Sequence, residues 1–63
     1  MGLRRDTSRR LLVAMKDEPS FLDAVGEEVR SGRIRPRDAR KLIRLWNEDQ
    51  SRLILMFDFA INS

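Results

Sequence analysis

At 63 residues, with 37% charged side chains and a formal net charge of +3, the chain has room for one domain and is too polar to span a membrane. A chain this short buries only about 60% of the surface its unfolded form exposes, so its core needs reinforcement. With no Cys and no His, disulfides and the common zinc ligand sets are excluded, which leaves close helix packing or association with another chain.

Charge is segregated along the sequence. Arg4, Arg5, Arg9 and Arg10 form one basic cluster, and Arg30, Arg33, Arg35, Arg37, Arg40, Lys41 and Arg44 form another, relieved only by Asp38. Arginine is favoured where a planar fork must grip phosphate or carboxylate. The absence of Cys fits a reducing, intracellular compartment, cytoplasmic or nucleoid/nuclear. The apolar segment 11–15 lacks a small-residue cleavage site, which argues against a signal peptide.

Residues 1–6 are polar and are expected to fray. Asp6 or Thr7 is suited to cap a first helix running to about Lys16, with Leu11, Leu12 and Met15 on its apolar face. Pro19 is expected to stop that helix. Ser20 and Asp23 have capping-box spacing for a second helix over residues 21–30, whose inner face carries Phe21, Leu22, Val25 and Val29. Glu27 and Glu28 read as solvated helix-end acids. Gly32 is placed to close the second helix in the left-handed conformation, and Ile34 to plug the gap between helices.

Pro36 fits the first position of a third helix over residues 36–48, with Asp38 in its first turn. Ala39, Leu42, Ile43 and Trp46 make the apolar stripe of this helix. Arg37, Arg40, Lys41 and Arg44 follow i, i+3, i+4, i+7 spacing and share the other side. Residues 47–51 are a polar break with Asp49 as N-cap. A fourth helix is expected over residues 51–61, apolar around most of its circumference. The alternative for 53–61 is an intermolecular strand, since periodicity alone does not separate the two.

Catalysis has little to work with, because no His, Cys or Tyr is present to serve as an acid, base or nucleophile near neutral pH. The carboxylate pairs are sequence neighbours near helix ends, and neither a glycine-rich phosphate loop nor a calcium loop is present. The expectation is a non-enzyme with no cofactor, metal or small-molecule substrate.

The fold class expected is therefore all-α, a compact bundle of three to four short helices spanning residues 1–63 as one domain, with a helix-turn-helix-like central pair. Its function is expected to be binding. In the leading reading it is a protein-interaction or oligomerisation module, with a protein partner or a second copy meeting Trp46, Leu53, Ile54, Met56, Phe57, Phe59 and Ile61. A helix apolar all round has to be buried on several sides, and large aromatics dominate interface energies. The alternative is a small, dimeric, helix-turn-helix-like DNA-binding regulator. There Arg33, Arg35, Arg37, Arg40, Lys41 and Arg44, the basic side that meets an acidic partner in the leading reading, contact nucleic acid, with the N-terminal arginine cluster on phosphates. Val29, Ile34, Ala39 and Leu42 match buried positions of such a unit, whereas Glu28 falls near a position that is usually apolar.

Overall fold

A computed structural model describes residues 2–63. Four helices follow one another along the chain: α1 (Arg5–Ala14), α2 (Glu18–Arg30), α3 (Pro36–Glu48) and α4 (Gln50–Asn62). The chain forms the expected all-α bundle. Each helix packs on its chain neighbours and α1 closes the ring against α4, its most extensive partner, so that α1 and α3 lie diagonally opposite across the core. The molecule measures 25 × 22 × 18 Å.

The helix starts differ from expectation in two places. At α1, the cap position is Arg4, whose side chain makes no capping bond, and the helix ends at Ala14. Thr7 is not a cap but a buried residue of the first turn. Arg5 and Asp6 are already helical, and Leu3 packs from an extended segment against the core, so the described part of 1–6 is anchored.

At α2, Asp17 is the N-cap: its Oδ1 accepts from the Ser20 amide at 2.8 Å. Pro19 lies inside the first turn rather than ending the preceding helix. The reason is positional, because amides in a first turn have no intrahelical partner and proline loses nothing there.

The later boundaries follow the sequence. Gly32 has φ +78° and ends the α2 segment, with its amide bonded to the Val29 carbonyl at 3.0 Å. Pro36 opens α3 and Asp38 sits in its first turn. Asp49 caps α4 by accepting from the Arg52 amide, and residues 53–61 are helical rather than a strand.

The core draws on every helix: Leu11 from α1, Phe21 and Val25 from α2, Ala39, Leu42 and Trp46 from α3, Leu53 and Phe57 from α4, plus Ile34 from the turn. The Phe21 and Trp46 rings stack with centroids 4.6 Å apart and an interplanar angle of 16°. The Trp46 indole Nε1–H donates to Glu18 Oε2 at 3.2 Å, so its polar edge is satisfied at the rim.

Among the described residues, one buried side-chain polar atom lacks a protein partner. The Ser8 hydroxyl is wholly buried in α1 and forms no hydrogen bond. Ser8→Ala removes that unsatisfied group and adds the best helix former, so a gain of about 1 kcal/mol is expected in urea unfolding followed by circular dichroism. A loss would mean that the hydroxyl is hydrogen-bonded in solution.

Candidate functional site

The surface is organised by a buried carboxylate. Glu28 has a side chain only 1% exposed and stands at the C-terminal end of the inner face of α2, following Phe21 and Val25. Its Oε1 accepts from Thr7 Oγ1 at 2.6 Å, from Arg10 Nη2 at 3.1 Å and from Arg33 Nε at 3.0 Å. Its Oε2 accepts from Arg10 Nε at 3.1 Å and Arg33 Nη2 at 2.7 Å. Both arginines are thus bidentate, one from α1 and one from the turn.

The Glu28 backbone carbonyl takes the Arg33 and Ile34 amides at 2.9 and 3.2 Å and the Ser31 hydroxyl at 3.1 Å. One residue therefore joins α1 to α2 and fixes the turn that aims α3. The Arg33 guanidinium, with Arg10 and Thr7 in support, outweighs the opposing effect of burial and holds the Glu28 carboxyl at about 2.

This network corrects the expected contact set. Arg33, assigned from sequence to an external acidic or nucleic-acid partner, is engaged by Glu28, as is Arg10 of the N-terminal cluster. Glu28 is correspondingly no solvated helix-end acid. Arg30 pairs with Glu27 on the surface.

The remaining cations of the central stretch stand together, with no ion pair among the described residues. Arg35 stands at the N-cap of α3, and Arg37, Arg40, Lys41 and Arg44 occupy its outer face; all are exposed. Among the described residues none of the five lies within 4.0 Å of a carboxylate, the four ion pairs being Arg10–Glu28, Arg30–Glu27, Arg33–Glu28 and Arg52–Asp49. Arg37, Asp38, Arg40, Lys41 and Arg44 line one shallow depression. Ala39, Leu42 and Trp46 anchor the opposite side of α3 in the core, so this basic face is carried on a fixed helix.

The expected apolar interface divides. Trp46, Leu53 and Phe57 belong to the chain's own core: α1 and α3 cover that side of α4, and Trp46 of α3 stacks on Phe21 of α2. Ile54 and Phe59 are exposed, the latter 76%, while Met56 and Ile61 are half-buried. Leu55, not assigned to the interface from sequence, is exposed beside Phe59, and with Leu3, Met56 and Ala60 these two line an open apolar groove.

No helix among the described residues is long and apolar enough to cross a membrane. Comparison of the chain with protein-family models, with curated proteins and with solved structures finds no match.

Proposed function

We propose that this chain is a non-catalytic binding module whose working surface is the outer face of α3 and whose ligand is nucleic acid. The observation that carries this reading is the set of exposed cations, Arg35, Arg37, Arg40, Lys41 and Arg44, with no carboxylate of the described residues in ion-pair reach. A helix face of this kind meets a phosphate backbone by releasing its condensed counterions, and arginine adds paired hydrogen bonds to phosphate oxygens. The α2–turn–α3 arrangement supports a duplex as ligand, since a helix held on a preceding helix by a glycine turn is a form that enters the major groove. Arg33 contributes indirectly, by fixing the turn.

Titration of a labelled mixed-sequence duplex with the protein, followed by fluorescence anisotropy, tests this. Dissociation constants on the order of 10⁻⁶ to 10⁻⁴ M are expected, with log K falling against log[salt] at a slope of about −4 for four phosphate contacts. Arg40→Glu with Arg44→Glu is expected to weaken binding on the order of 100-fold at low salt while leaving the helical signal intact. Absence of binding by the native chain at low salt would remove the reading.

A second reading rests on the exposed Leu55 and Phe59 beside Leu3. Apolar side chains adjacent on one helix and rimmed by polar groups suit association with a protein partner or a second copy. Sedimentation of the native chain and of a Phe59→Ser variant tests it: a shared monomer mass excludes self-association there.

A further inference from the structure

We infer that the protein carries a second, separate phosphate-binding face on α1 and holds two nucleic-acid segments at once, one on each side of the bundle. This rests on the reading of α3 as a nucleic-acid surface and extends it.

The N-terminal arginines read from sequence as an accessory to α3. The structure separates them from it. Arg10 is held by Glu28, whereas Arg4, Arg5 and Arg9 are exposed and none pairs with a carboxylate among the described residues. Arg5 Nη2 donates to the Ser63 carbonyl at 3.3 Å, which positions the side chain but leaves its charge uncompensated. Arg5 and Arg9 are one helical turn apart and share a face, and Arg4 adjoins them at the start of the helix. Asp6 is the single acid within this group.

Because α1 packs on α2 and α4, and α3 packs on the same two helices from the other side, the outer faces of α1 and α3 point away from each other. Past the 31–35 turn, Arg9 shares a depression with Arg10, Arg33, Glu27 and Glu28. There Glu28 holds Arg10 and Arg33 and Glu27 holds Arg30, so the arginines with no ion pair among the described residues fall into two groups. The outer side of α2 carries Asp23 and the Glu27–Arg30 pair, and that of α4 carries Leu55, Asp58 and Phe59. One straight duplex cannot lie on both faces across a body of 25 × 22 × 18 Å. Two can, and the arginines on the path between them are already compensated by Glu27 and Glu28.

Mixing a donor-labelled and an acceptor-labelled duplex with the full chain at low salt reads out bridging as energy transfer between duplexes. The native protein is expected to produce transfer that disappears as salt rises. Arg4→Glu with Arg9→Glu alters side chains that make no hydrogen bond or ion pair within the described residues. That variant is expected to bind a single duplex within about threefold of the native chain but to lose transfer. Arg4→Gln with Arg9→Gln, milder for folding, is expected to lose most of it.

Single-duplex binding without transfer by the native chain would overturn the second face and leave the α3 reading intact. Transfer that survives in both α1 variants would overturn it too, because the second site would then come from another copy of the chain. Failure to bind any duplex would instead sink the α3 reading, and this inference with it.

Discussion

Replacing Glu28 by Gln is expected to cost about 3 kcal/mol at neutral pH. The figure follows from linkage. The Glu28 carboxyl moves from its ordinary 4.5 to about 2, and each unit corresponds to about 1.4 kcal/mol of preference for the ionised form in the folded state. Because the folded value lies below the unfolded one, the contribution is complete above about 4.5, shrinks as pH falls and the unfolded carboxyl takes up its proton first, and is gone below about 2. A chain of this length has a total stability of about 3–9 kcal/mol, so losing the term in acid removes about a third of it or more.

The amide introduced by Glu28→Gln would keep the volume but direct its NH2 towards guanidinium donors. Thr7, wholly buried, would have to share the remaining carbonyl oxygen with them. Urea unfolding of native and Glu28→Gln chains between pH 7 and pH 2 checks the argument. The stability difference should be largest at neutral pH and close as the pH approaches 2. A pH-independent difference would mean that packing, not charge, fixes Glu28. The arginines differ from the carboxylate in this respect, since the Arg10 and Arg33 side chains remain 46% and 35% exposed and regain water when Glu28 is lost. Removing both arginines instead would strand the carboxylate in the core, the costlier direction.

Glu28 also marks where the sequence stops being legible. Helix α3 is readable from end to end, because Pro36, Asp38 and the 39–42–46 stripe all specify the same start and the same inner face. Gly32 and Asp49 are equally plain, each being a residue whose local chemistry decides its backbone. Pro19 is ambiguous: proline ends one helix and begins another with the same ring, and the Asp17–Ser20 bond that resolves it competes with the equally spaced Ser20–Asp23.

Glu28 stands at the 21–25–28 periodicity of the α2 core face, a signal that is present but outweighed by the rule that carboxylates are solvated. What justifies burying it is a set of donors from sequence positions 7, 10 and 33, a juxtaposition no local pattern encodes. The same blindness affects Arg33, which looks like its basic neighbours until its partner is known. For α4, apolar residues around most of the helix identify a segment needing cover but not which side the bundle supplies.

That division of α4 yields a second large effect, with two phenylalanines two positions apart expected to behave oppositely. Phe57 is 0% exposed and Phe59 is 76% exposed, since a step of two residues turns the side chain by roughly 200° around a helix of 3.6 residues per turn. Phe57→Ala leaves a cavity among the core residues of four helices and is expected to cost about 3–5 kcal/mol. For a chain of this size that removes from about a third to all of its stability. Phe59→Ala removes a ring already in water and is expected to change stability by less than about 0.5 kcal/mol. Urea unfolding monitored by circular dichroism and by Trp46 fluorescence measures both, the latter reporting the Phe21–Trp46 stack directly. If Phe59→Ala were as damaging as Phe57→Ala, Phe59 would be buried in solution. In a chain whose own helices leave it open, that burial would have to come from a second copy, and the loss would then deepen on dilution, because the stability of an associated state depends on protein concentration.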